Sequence, residues 1–175
     1  MSEISIRPAE ASDVAAVARI YADAVLHGTA SFEIDPPDRD EMARRFAELA
    51  GGAFPYLVAQ NAGTVAGYAY VGPYRTRPAY RWTVEDLIYV AADSQRRGIG
   101  RALLDRLIVE AAGRGFRQMI AVIGDSDQPG SIALQTVAGF RIIGTFEVVG
   151  CKFDRWLDSV LIERPPGQGA TAGPC

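Results

Sequence analysis

The amino-acid sequence predicts an α/β fold, a mixed central sheet of about seven strands flanked by about four helices. Two observations carry this. Strand-like and helix-like stretches alternate in the order βααβββαβαββ. The stretch Arg81 to Gly115 also runs from an apolar strand through Gln95-Arg96-Arg97-Gly98-Ile99-Gly100 straight into an amphipathic helix. A strand–helix–strand step of that kind lays two strands parallel within the sheet. With 175 residues, 49% of them hydrophobic, the chain is long enough for one domain with a proper core.

The elements read in order as follows. Glu3 to Arg7 is a short first strand ended by Pro8, and Ser12 is placed to cap a helix with Val14, Val17, Ala18, Tyr21 and Val25 on one face. After the break His27 to Glu33 and Pro36-Pro37, a second helix runs from about Asp38 to Ala50. Its stripe is Met42, Phe46 and Leu49, and Gly51-Gly52 stops it. Tyr56 to Gln60 and Thr64 to Val71 form a hairpin around Asn61-Ala62-Gly63. An Arg- and Tyr-rich loop, Gly72 to Arg81, precedes the strand that carries Val84, Leu87, Ile88 and Val90. The next helix has Ile99, Leu103, Leu107 and Ala111 in line, with Leu104 and Ile108 beside them. Arg117 to Ile123 is a further strand, Gly124 to Gly130 a turn, and Ser131 to Ala138 a short helix stopped by Gly139. Phe140 to Val149 and Cys151 to Ile162 are expected as two strands hinged near Gly150. Residues 1–163 are thus one domain, and the Pro/Gly-rich 164–175 is expected to be a disordered tail.

Composition excludes several classes. A net charge of −3 lacks the basic footprint of a nucleic-acid or membrane-surface binder. No apolar run approaches a membrane span, and the polar, acidic start is unlike a signal peptide, so the cytoplasm is the expected compartment. Cys151 and Cys175 make no disulfide framework, and a single histidine, His27, cannot build a Cys/His zinc site. No metal is expected. His27 reads as a surface or helix-end residue, Cys151 as a small strand hydrophobe, and Trp82 and Trp156 as core or interface anchors. Asp125-x-Asp127 is only a fragment of a calcium loop.

The glycine turn is the first chemical feature. A helix start behind a glycine-rich bend cradles anions, because its first N–H groups lack internal partners. It is not a dinucleotide fingerprint, since Leu103 stands at the third glycine position, and no Gly-Lys-Ser/Thr makes it a P-loop. A tight strand–helix corner with no ligand would use the same glycines.

Gln-x-x-Gly-x-Gly at residues 95–100 resembles the acetyl-CoA pyrophosphate loop of the GNAT superfamily of N-acetyltransferases. Further stretches are similar to its phosphinothricin and methionine sulfone/sulfoximine acetyltransferase branch. They are Ala30-Ser31-Phe32-Glu33, Thr83-Val84-Glu85, Ser131-Ile132-x-Leu134, Gly139-Phe140, and Val149-Gly150-x-Lys152-Phe153-x-Arg155-Trp156-x-Asp158. The resemblance spans the first strand to about Ile162. It implies a splayed GNAT sheet with CoA in a V-shaped cleft, acetyl-CoA as donor, a small amino-acid analogue as amine acceptor, and a homodimer.

Carried onto this chain residue by residue, the resemblance makes Glu85 the base that collects the acceptor's proton. Donor binding falls to Leu87, Ile88, Tyr89 and Val90 along the strand, to Gln95, Arg96, Arg97, Gly98, Ile99, Gly100 and Arg101 in the turn, and to Gln128 and Ser131. Backbone N–H groups from Arg96 to Arg101 suit the pyrophosphate, and those near Ile88 to Val90 suit the carbonyl oxygen. Acceptor recognition is expected from Phe32, Glu33, Arg75, Arg77, Tyr80, Arg81, Thr83 and Val84, where arginine forks suit oxyanions.

Three positions depart from the branch pattern. Asp86 follows the base where His is usual, Gln128 stands for Asn, and Gln135 stands where His, or a thiolate-protonating Tyr, is found. Alternation along a strand should also put Glu85 and Asp86 on opposite faces. Other readings of the same residues are a GNAT acting on a polyamine or a protein N-terminus, and a non-catalytic acyl-CoA sensor.

Overall fold

The computed structural model describes residues 4–171 and 173. Its strands are β1 (Ile4–Pro8), β2 (Tyr56–Asn61), β3 (Thr64–Pro73), β4 (Thr83–Val90), β5 (Gln118–Gly124), β6 (Arg141–Lys152) and β7 (Arg155–Arg164). The helices are α1 (Val14–His27), α2 (Arg39–Gly51), α3 (Ile99–Gly113) and α4 (Pro129–Val137). Seven strands form one open sheet in the order β1-β2-β3-β4-β5-β7-β6. Only β4 and β5 run parallel, joined by α3, so the expected mixed sheet and its parallel step are both present.

Local chemistry accounts for most boundaries. Asp38 caps α2 by accepting the Glu41 N–H at 2.8 Å. Ala62 and Gly63 both adopt positive φ, the two-residue turn that matches strand twist, so Asn61 pairs with Thr64 across β2–β3. Ser12 is not the cap of α1. It lies in a single 3-10 turn before the helix; Asp13 occupies the N-cap position without a side-chain cap bond, and instead secures that turn by accepting the Glu10 N–H at 2.8 Å and pairing with Arg7 at 2.7 Å. The closing strands do not hinge at Gly150 either. β6 runs through Gly150 to Lys152 and turns at Phe153-Asp154, both left-handed, with Lys152 opposite Arg155. Glycine usually marks such a turn, and here neither turn residue is glycine.

Each face of the sheet carries its own apolar layer. On one, α3 buries Ile99, Leu103, Leu104, Leu107, Ile108 and Ala111 against Leu57, Ala69, Val71, Val84, Met119 and Ile162. On the other, α1 and α2 cover Tyr56, Val58, Tyr68 and Tyr89. Tyr68 stacks between Tyr56 and Tyr89 at ring-centroid distances of 6.0 and 5.3 Å. Leu87 and Tyr89 therefore face α1 and α2, while Val84, Ile88 and Val90 face α3. Beyond β7 the chain folds back on the domain. Pro166 and Gly169 are buried, and Arg117 donates to the Gln168 side chain and the Gly173 carbonyl. Cys175 lies outside the described residues.

Candidate active site

The parallel pair β4–β5 is short. It holds only at Thr83–Gln118, Val84–Met119 and Glu85–Ile120. From Asp86 onward β4 stays paired to β3 as far as Val90, while its other edge leaves β5. The sheet thus forks at Glu85 and Asp86, and β4 offers Leu87 to Val90 as an open edge along one arm.

The glycine turn stands at the far end of that arm. Arg96 and Gly98 are both left-handed, with φ of 60° and 81°. Gly98 is the residue from which α3 begins, and the first helical bond closes from the Ala102 N–H to the Gly98 carbonyl at 3.0 Å. The N–H groups of Ile99, Gly100 and Arg101 precede that bond and point outward along the axis. A β-carbon at Gly100 would lie 3.3 Å from Leu134 Cδ2, so a small residue lets α3, α4 and β4 meet there.

Two cavities flank the fork. The one on the α4 side includes Asp86, Ile88, Ile123, Ser131, Leu134 and Gln135. Asp86 is buried, and Gln135 Nε2 donates to its Oδ2 at 2.6 Å. Two of the three positions where the chain departs from its branch are therefore bonded to each other. Burial pushes the Asp86 carboxyl up to about 7, with the nearby Glu85 charge adding to the rise and the Gln135 bond opposing it.

The second cavity, toward α1, is lined by Glu85, Leu87, Tyr89, Tyr21, Phe32, Glu33 and Ser159. Burial raises the Glu85 carboxyl above its ordinary range. The segment between α1 and α2 that supplies Phe32 and Glu33 is tightly held. Lys152 Nζ donates to the Ser31 carbonyl at 2.8 Å, Gln128 Nε2 to Thr29 Oγ1 at 3.0 Å, and Tyr21 and Ser31 share a 2.9 Å hydroxyl bond. The Phe32 ring lies against the backbone of Gly124 and Gly150. Glu33 is neutralised by Arg45 at 2.7 Å.

Of the residues expected to bind donor or acceptor, the fork gathers Glu85, Leu87, Ile88, Tyr89, Ser131, Phe32 and Glu33. Gln128 braces the Thr29 loop and lines neither cavity. Arg75, Arg77, Tyr80, Arg81 and Thr83 also line neither one. Arg75 stacks on Tyr74 and Tyr80, while Arg77 and Arg81 are exposed. The Val84 side chain is wholly buried in the α3 core, because strand alternation turns it away from the α1-side cavity. Tyr21, Arg45, Tyr70 and Ser159 were not expected. Arg45 and Tyr70 share a third hollow with Glu85. Tyr21 carried only a helix-stripe signal in the sequence, and Arg45, inside the second helix, carried none. His27 ends α1, exposed and paired with Asp23. Cys151 is exposed, and Trp156 is no core residue, being 69% exposed.

A sheet that forks after Glu85, with a helix N-terminus aimed along the open arm, is the architecture of an acetyl-CoA-dependent N-acetyltransferase. The chain belongs to the GNAT family, whose acetyltransferase domain model matches residues 6–161. It is 45% identical over 170 residues to the phosphinothricin N-acetyltransferase of Alcaligenes faecalis, covering 97% of this chain and 86% of that protein. It is 36% identical over 172 residues to the L-methionine sulfoximine/L-methionine sulfone acetyltransferase of Salmonella typhimurium, covering 98% and 100% of the two chains. A crystal structure of a phosphinothricin acetyltransferase from Sinorhizobium meliloti in complex with AcCoA superposes with a TM-score of 0.96 at 43% identity, covering 100% of this chain and 94% of that one.

Proposed function

We propose that this chain transfers acetyl from acetyl-CoA to the primary amine of a small amino-acid analogue of the phosphinothricin, methionine sulfone or methionine sulfoximine type. The fork supports the reading: the sheet opens beside a free strand edge, with Glu85 at the vertex lining the α1-side cavity that would receive the acceptor. The residues present suit the donor. The outward N–H groups of Ile99 to Arg101 hold its pyrophosphate, and the β4 edge from Leu87 to Val90 pairs with the pantetheine amides.

Glu85 takes a proton from the incoming ammonium, freeing the lone pair that attacks the thioester carbonyl. Its raised affinity for protons, caused by burial, suits it to that role near neutral pH. Backbone N–H groups near Ile88 to Val90 steady the carbonyl oxygen as charge develops on it. Phe32 walls the acceptor side, and the exposed Arg75–Arg81 loop, which lies outside both cavities, would supply guanidinium forks for the acceptor's oxyanions at their rim.

The working unit is a homodimer, and the compartment is the cytoplasm. Supporting the dimer, β6 is an edge strand, and the β6–β7 surface exposes Ile142, Phe146, Val148, Val149, Phe153 and Trp156, each more than half exposed. No helix among the described residues is long and apolar enough to cross a membrane. A thiol-release assay with acetyl-CoA and a panel of amines tests the reaction. Release that depends on methionine sulfone, methionine sulfoximine or phosphinothricin is expected. Donor binding without release for any amine would support a non-catalytic sensor instead, and release only with spermidine or a peptide N-terminus would replace the acceptor.

A further inference from the structure

Asp86 is an expensive residue to bury. It is 5% exposed and has no cationic partner, and its Oδ1 is buried without a hydrogen-bond partner among the described residues, as is Gln135 Oε1. A carboxylate so placed would pay a large desolvation cost, whereas a neutral carboxylic acid would not. Packing alone therefore explains the residue poorly. Its location suggests a use. Asp86 is the first residue of β4 past the last β4–β5 pair, and it lines the α4-side cavity with Gln135, while the adjacent Glu85 lines the opposite cavity. A thioester threaded through the fork would have its amine attacker on the Glu85 side and its sulfur on the Asp86 side.

Resting on the acetyl-transfer reading, we propose that Asp86 is the acid of the reaction, protonating the departing sulfur, with Gln135 as the residue that positions its carboxyl. When nitrogen has bonded to the carbonyl carbon, the carbon–sulfur bond breaks with its electron pair on sulfur. Asp86 gives that sulfur its proton. The ammonium sheds two protons on becoming an amide, one to Glu85 and one to water. Reprotonation of Asp86 from Glu85 by way of solvent then restores both carboxyls, so one proton is released per turnover. The rise of the Asp86 carboxyl to about 7 keeps a substantial neutral fraction near neutral pH, and Glu85 is the charged group that bears on it.

The experiment measures kcat against pH for the whole protein with acetyl-CoA and the best amine, together with acetyl-CoA affinity by calorimetry. For the parent, kcat should fall on the alkaline side as Asp86 loses its proton. Asp86→Asn should lower kcat by roughly 10²–10⁴-fold, leave acetyl-CoA affinity unchanged and abolish the alkaline fall. Gln135→Leu removes a bond that favours the carboxylate, so the alkaline fall should move to higher pH. An Asp86→Asn profile like the parent's, or an alkaline fall that survives in it, overturns the assignment. Should Asp86→Asn not fold, an alkaline fall that stays in place in Gln135→Leu overturns it equally. A parent that releases no thiol with any amine counts against acetyl transfer itself, a result distinct from these.

Discussion

The Phe32 ring and the backbone of Gly150 are packed so closely that a β-carbon at 150 would lie 2.4 Å from the ring's Cε2. The same ring would lie 2.7 Å from a β-carbon at Gly124. Two strands therefore give up side chains to seat one ring on the wall of the α1-side cavity. Gly150→Ala should destabilise the protein by about 1–3 kcal/mol and raise the acceptor KM. Adding Phe32→Ala removes the clash, so the double variant should be more stable than the two single effects sum to. Urea denaturation of all four proteins checks this, and strict additivity would mean that the ring and Gly150 do not compete for space.

Glu85→Gln should cut kcat by roughly 10²–10⁴-fold while acetyl-CoA still binds. As the proposed base, Glu85 would work ionised, and burial raises its pKa, so activity should be lost as pH falls through a value above the ordinary carboxylate range. In Glu85→Gln that acidic fall should vanish from a pH–rate profile.

Gly98 is left-handed, with open space where its β-carbon would be. Gly98→Ala should therefore cost about 1–2 kcal/mol of backbone strain rather than a clash. The turn it shapes is the proposed pyrophosphate site, so steady-state kinetics should show a higher KM for acetyl-CoA and an unchanged KM for the acceptor.

Arg77 is exposed and makes no ion pair among the described residues, while Arg75 is sandwiched by Tyr74 and Tyr80. Arg77→Ala should raise the acceptor KM far more than the acetyl-CoA KM. Equal rises in both would take the arginine loop out of acceptor recognition.

Trp156 is 69% exposed on the apolar β6–β7 surface. Trp156→Glu should convert a dimer to monomer in sedimentation velocity, since a charge at the centre of an apolar contact is left without a partner. A parent protein that sediments as a monomer would already contradict the proposed assembly.

The features readable from the chain alone are local and periodic. The α3 stripe from Ile99 to Ala111, the start of α2 near Asp38, the hairpin turn at Ala62-Gly63 and the glycine turn at Gly98 depend on neighbours a few residues away, and spacing and residue type marked each of them. Alternation was enough to separate the faces of Glu85 and Asp86. It misplaced the β6–β7 turn, because Phe153 and Asp154 take left-handed conformations that no glycine announces. What lines each side of the fork depends on how distant segments pack. Asp86 meets Gln135 across 49 residues of chain, Lys152 reaches Ser31 across 121, and Phe32 fills space left by two distant glycines. Such contacts are set by how α4 and the closing hairpin pack on the split sheet, and no local pattern encodes a distance between segments so far apart. The sequence marks the residue types of a base and of an anion cradle. Their packing fixes which carboxyl lines the α1-side cavity and which the α4-side cavity.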